Sequence, residues 1–121
     1  MIETLGLYEI AIKVRDLNLS EQFYRNIFAL QDGLLDTQRN WLFLRIGSSQ
    51  GMIVLQETPE DFPPLHFAFR VSEREMERAA HLLKEFGIAT KGPVKHDWIP
   101  AKSLYFSDPD SHDLELCAPL Q

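Results

Sequence analysis

The 121-residue chain carries 12 Lys and Arg against 18 Asp and Glu, a formal charge of −6, so a phosphate backbone is repelled and nucleic acid is not expected as a partner. With 45% hydrophobic and 25% charged residues the composition is ordinary for a water-soluble globular protein, and the length supports one shared core. No apolar run nears the roughly 20 residues that span a bilayer, Met1 leads into patterned sequence rather than a basic and apolar leader, and the single Cys117 excludes an internal disulfide and a thiolate-rich zinc site; the expected location is cytoplasmic, away from membranes.

The first element is a strand in Tyr8–Val14, with Ile10, Ile12 and Val14 on one face and Glu9, Ala11 and Lys13 on the other. A helix follows, capped by Asp16 or Asn18 and ending near Ala29, with Leu19, Phe23 and Ile27 four residues apart as its expected buried stripe. A weak strand around Leu34 and Leu35 comes next. Trp41–Ile46 and Met52–Glu57 then read as a hairpin about the turn Gly47-Ser48-Ser49-Gln50-Gly51. Residues 58–64 hold Pro59, Pro63 and Pro64, which forbid helix and disfavour interior sheet, so this stretch is a linker.

Past the linker the alternation resumes in Leu65–Val71, with Phe67, Phe69 and Val71 opposite His66, Ala68 and Arg70. Ser72 and Glu75 form a capping box, and Met76, Ala79, Ala80 and Leu83 give a helical stripe that stops at Gly87. Strands are expected at 88–91, 103–107 and 112–117, the last two about the turn Asp108-Pro109-Asp110-Ser111. Residues 9–14 and 66–71 lie 57 positions apart with small residue on small and base on base, so the chain is a duplicated strand-helix-strand-strand-strand unit. The boundaries are 5–57 for module one, 58–64 for the linker and 65–118 for module two, within a single domain 1–121. The fold class is α+β, two tandem βαβββ modules whose curved mixed sheets surround a cavity.

Each helix must cover its own sheet, so Glu9 and His66 face away from the helices, and Glu115 joins them because Leu114 and Leu116 take the helix-facing positions. Glu9, His66 and Glu115 form a candidate metal trio: two carboxylates and one imidazole balance a divalent ion and leave open positions. The metal-free alternative pairs Glu9 with Lys13 or Arg70 and lets His66 hydrogen-bond to Glu115. Val54 occupies the place of Glu115 in the first module, so the two modules cannot carry equivalent sites.

The paired modules, Val14-Arg15-Asp16-Leu17 leading to Phe23-Tyr24, and the run Tyr105 to Leu116 resemble the vicinal oxygen chelate superfamily, which groups glyoxalases, bleomycin-resistance proteins and dioxygenases. The resemblance implies the glyoxalase-type fold, a cavity between modules and a divalent metal, Mn, Fe, Zn, Ni or Mg, on Glu9, His66 and Glu115. It also sets Tyr105 at a substrate-contacting position of the fosfomycin-resistance enzymes. Three departures argue against fosfomycin itself: Ala11 replaces a Thr, the loop from Trp98 to Ser103 is short for a cation-binding loop, and the chain ends before a late Arg. Ser111 stands where Gly is usual, which is tolerable if that turn avoids positive φ.

Trp41, Phe43, Arg45, Gln56 and Trp98 are candidate cavity residues; each also has an ordinary role, the aromatics at a dimer seam, Arg45 and Gln56 as surface groups. Cys117 reads as a small buried hydrophobe and His81, His96 and His112 as structural or solvent-facing. The expected function is a metal-dependent lyase, isomerase or thiol transferase acting on a small oxygen-chelating substrate. Glu9 or Glu115 is the candidate base and Tyr105 the candidate donor to a developing oxyanion. The alternative is a metal-free small-molecule binder of the bleomycin-resistance type, and a homodimer is expected in either case.

Overall fold

The computed structural model describes residues 1–47 and 51–120. Two compact units follow one another, Met1–Pro63 and Pro64–Gln121. In the first, β1 (Glu9–Val14), α1 (Leu17–Ile27), β2 (Leu30–Asp36), β3 (Trp41–Ile46) and β4 (Met52–Glu57) build a four-stranded sheet in the order β1-β4-β3-β2. In the second, β5 (His66–Arg70), α2 (Glu73–Glu85), β6 (Lys91–Lys95), β7 (Ala101–Ser107) and β8 (Asp113–Pro119) build a sheet in the order β5-β8-β7-β6. The outer pairs β1/β4 and β5/β8 are parallel and the remaining pairs antiparallel. A parallel pair needs a crossover, and the helix of each unit lies in that connection and packs on its last strand. This is the α+β duplication expected from the repeat.

The unit-one core is Ile12, Val14, Tyr24, Leu44, Ile53, Val54 and Leu55, each at most 1% exposed. Complete burial stabilises by about 1.5–3 kcal/mol for each large aliphatic side chain. Asp16 is the α1 cap, accepting the Leu19 N–H (3.1 Å), and the Leu17 N–H donates to Glu57 Oε2 (2.8 Å), so the end of β4 carries a carboxylate to the positive helix terminus. The expected Leu19-Phe23-Ile27 stripe is corrected: Ser20 and Tyr24 are the buried helix residues, Phe23 and Ile27 are half-buried, and Leu19 is 52% exposed. A small side chain allows close helix–sheet approach, which hydropathy spacing does not register. Arg15 pairs with Asp61 (2.6 Å) and lies over the Phe62 ring (5.4 Å to the centroid), fastening the proline-rich segment to the end of β1.

In unit two, Ser72 caps α2 by accepting the Glu75 N–H (3.1 Å), and Met76 and Leu83 are its buried residues. The helix ends as expected, with the Gly87 N–H on Lys84 O and the Ile88 N–H on Leu83 O. That cap consumes the chain that was expected to form a strand at 88–91, so β6 begins only at Lys91. The edge strands β2 and β6 each carry a register shift, between Asp32 and Leu35 and between Lys91 and Val94. At each a glycine permits close backbone approach: a Cβ would stand 2.7 Å from Phe43 O at Gly33 and 2.7 Å from Ser103 O at Gly92.

The Asp108–Ser111 turn is corrected in one respect, since Ser111 has φ +67°. Asp108 Oδ1 accepts the Asp110 and His112 N–H groups (3.0 and 2.8 Å) and holds the turn despite that conformation. His112 is fully buried and its Nδ1 accepts the Leu65 N–H (2.9 Å), a structural role. Cys117 is a free thiol and half-buried rather than buried. Of the expected turn at 47–51, residues 48–50 lie outside the described residues.

Candidate functional site

Strand register assembles the second sheet in rows. Phe67 pairs with Leu114, Phe69 with Leu116, Leu104 with Leu116 and Phe106 with Leu114, all on the face packed by α2. The intervening rows are His66, Asp113 and Ser107; Ala68, Glu115, Tyr105 and Lys91; then Arg70, Cys117 and Ser103. By the two-residue period of a strand these share the opposite face. Ala68 beside Glu115 is small, which leaves the carboxylate lateral room.

Two diagonal neighbours use that room. His66 Nε2 lies 3.1 Å from Glu115 Oε1, with the Glu115 side chain 14% exposed and the His66 side chain 54% exposed. On the other flank the Ser103 hydroxyl donates to Glu115 Oε2 at 2.6 Å, and His96 Nε2 lies 2.8 Å from the same hydroxyl. A four-member polar chain, His66–Glu115–Ser103–His96, thus crosses the sheet face. The His96 ring stands beside Trp98, with centroids 5.4 Å apart and planes at 48°. Tyr105, directly opposite Glu115, is half-buried.

The first sheet gathers the remaining candidates on one face of its own. Its rows are Glu9, Met52 and Arg45; Ala11, Val54 and Phe43; Lys13, Gln56 and Trp41. Glu9 and Arg45 are exposed, while Phe43, Gln56 and Trp41 are half-buried, with the Arg39 guanidinium 5.6 Å from the Trp41 ring centroid. Val54 takes the register place of Glu115, as expected: Ala11 pairs with Val54 just as Ala68 pairs with Glu115. Trp98 is 77% exposed.

Among the described residues no three His, Cys, Asp or Glu side chains form a group able to hold a metal; of the expected trio, His66 and Glu115 stand together on the second sheet, and Glu9 lies on the first. The His66–Glu115 pair fits a divalent ion as two of its ligands. Atoms each about 2.1 Å from one ion and at right angles to it stand about 3.0 Å apart, close to the separation of His66 Nε2 and Glu115 Oε1. Ser103 and His96 were not singled out as site residues by the sequence. The one signal available was that Ser103 shares its strand parity with Tyr105.

Fold, duplicated register and this face define the class of protein: residues 6–116 match the Glyoxalase/Bleomycin resistance protein/Dioxygenase superfamily, and the chain belongs to it. No helix among the described residues is long and apolar enough to cross a membrane. Among particular relatives, the chain is 31% identical over 121 residues to the metallothiol transferase FosB of Staphylococcus epidermidis strain ATCC 12228, covering 95% of this chain and 82% of that one. An integron cassette protein, HFX_CASS4, from the mobile metagenome of Halifax Harbour Sewage Outfall superposes with a TM-score of 0.89 at 44% identity, covering 95% of this chain and 99% of that one. A variant of the fosfomycin resistance protein FosX from Listeria monocytogenes, crystallised with Mn(II) and 1S,2S-dihydroxypropylphosphonic acid, superposes at 0.82 with 25% identity, covering 97% and 94%.

Proposed function

We propose that the chain is a divalent-metal-dependent enzyme that adds a thiol or water to a small, oxygen-rich electrophile, with His66, Glu115 and Glu9 as the metal ligands. The observation that supports this reading is that His66 and Glu115 share the face away from α2 with their ligand atoms 3.1 Å apart; the metal-free alternative expects the same contact, and the relatives favour the metal. The relatives support it: one is named a metallothiol transferase, and another was crystallised with Mn(II) and a phosphonic acid. When bound, the metal supplies positive charge that polarises a substrate oxygen and stabilises the anion formed as the nucleophile adds. Two carboxylates and one imidazole neutralise a divalent ion and suit Mn(II), Fe(II) or Mg(II).

The chain's own residues would orient and protonate. Tyr105, across from Glu115, presents a hydroxyl beside the site and donates a hydrogen bond to a substrate oxyanion. Arg45, in the Glu9 row, would offer a cation for an acidic group of the substrate, Trp41, Phe43 and Gln56 on the same face of that sheet would offer apolar and amide contacts, and in the second unit Trp98, beside His96, would offer a further aromatic face. Ala11 has no hydroxyl where the fosfomycin enzymes carry Thr, so the reading is for a related electrophile rather than fosfomycin itself.

Metal analysis of protein purified without chelator is the test. About one equivalent per chain, lost in both His66→Ala and Glu115→Ala with folding intact, is the expected result. A metal-free parent protein that still binds small aromatic ligands overturns it in favour of a binding protein. Metal-loaded enzyme assayed with fosfomycin and with other small epoxides, each with and without a low-molecular-weight thiol, then separates substrate from nucleophile.

A further inference from the structure

The geometry points to Ser103 and His96 as positioning residues that hold the Glu115 carboxylate in its ligand orientation; this rests on the metal reading above. A glutamate side chain has three rotatable torsions, and a carboxylate that binds through one oxygen keeps its direction only if the other oxygen is engaged. Glu115 is engaged on both sides: Oε1 faces His66 at 3.1 Å, and Oε2 accepts the Ser103 hydroxyl at 2.6 Å, a separation typical of a charge-assisted bond.

Ser103 is fully buried, which shields its hydroxyl from bulk solvent. It carries one proton, and that proton goes to Glu115, so at His96 the hydroxyl oxygen can only accept. His96 Nε2, 2.8 Å away, is therefore the donor, which selects the Nε2–H form of the ring. His96 is in turn fixed from behind. Its backbone N–H donates to Ala101 O (3.0 Å), the Ala101 N–H donates to Ile99 O (2.8 Å), and Trp98 stands against the ring. The chain of donors thus runs from the loop after β6 to the carboxylate in one direction, His96 to Ser103 to Glu115, and leaves Oε1 as the atom presented beside His66.

The test is calorimetric titration of Mn(II) alone into the full chain. Ser103→Ala is expected to weaken Mn(II) binding about 10- to 100-fold, the usual effect of removing a partner that orients a ligand. His96→Ala weakens it less and adds little on top of Ser103→Ala. His96→Gln, whose side-chain amide can donate to the same hydroxyl, restores most of the affinity, which a merely space-filling role for His96 would not produce. In the metal-free parent, ¹⁵N spectra of the imidazoles show His96 with its proton on Nε2. Thermal midpoints confirm that each variant is folded; if Ser103→Ala is not, the two His96 variants on the loop carry the comparison. A parent that binds Mn(II) with unchanged affinity in Ser103→Ala, or with His96→Gln as weak as His96→Ala, overturns this inference alone. A parent that binds no Mn(II) overturns the metal reading and this inference with it.

Discussion

Ser111 shows how a single residue can hold an unfavourable backbone conformation when its neighbours over-determine it. At φ +67° a serine pays a steric penalty of roughly 1–2 kcal/mol that glycine avoids. The Ser111 N–H on Asp108 O (3.1 Å) and the two N–H groups on Asp108 Oδ1 keep it there. Ser111→Gly is expected to be neutral or stabilising by up to about 1 kcal/mol, since relief of strain is partly offset by the freer unfolded chain. Ser111→Val, β-branched at the same φ, should cost at least about 1 kcal/mol. Urea unfolding of the three proteins checks the order; a valine variant as stable as the parent would contradict the assigned conformation. The sequence marked this position as unusual but carried no sign of its φ, which depends on the hydrogen bonds that Asp108 makes across the turn.

At the scale of elements, the β2–β3 connection is tied by one carboxylate. Asp36 accepts the Arg39 guanidinium (2.5 Å) and the N–H groups of Gln38 and Arg39, and these bonds, Arg39 foremost, hold its carboxyl below the usual range. A depressed folded-state value means that the contribution to stability is present above the unfolded value and is lost as pH falls through the folded one. The difference in thermal midpoint between parent and Asp36→Asn should therefore be constant near neutrality and shrink as pH falls below the ordinary carboxylate range. A difference independent of pH would show that the ionised form is not what ties the turn. Elements with strong patterns were legible beforehand: β3, β4 and the capped α2 stand where expected. α1 kept its cap and roughly its length while its buried face moved from Leu19 to Ser20 and Tyr24. β6 moved because the helix cap at Gly87 and Ile88 used the residues assigned to it.

For the molecule as a whole, the duplication places Glu9 on one sheet and His66 with Glu115 on the other; the proposed ligand set names residues of both units, and whether these act together is what a mixture of variants tests. They can come from one chain or from the two copies of the expected homodimer. Complementation reads which. Glu9→Ala and His66→Ala proteins, each unable to bind Mn(II), are unfolded together and refolded as a mixture. If sites combine units from different copies, mixed dimers regain about one intact site each; if every site is built within one chain, the mixture stays without metal. Size-exclusion with light scattering on the parent gives the copy number against which the recovered equivalents are judged.

Sequence by itself determined the duplicated βαβββ plan, the parity that puts His66 and Glu115 on the face away from α2, and the asymmetry between Val54 and Glu115. These follow from periods of two and 3.6 residues, which are local properties of the chain. Tertiary structure alone decided that Ser103 and His96 join Glu115, that α1 buries Ser20, and that Ser111 is left-handed. Each depends on which strand lies beside which and in what register, and the 12 positions between Ser103 and Glu115 become 2.6 Å only when β7 and β8 pair.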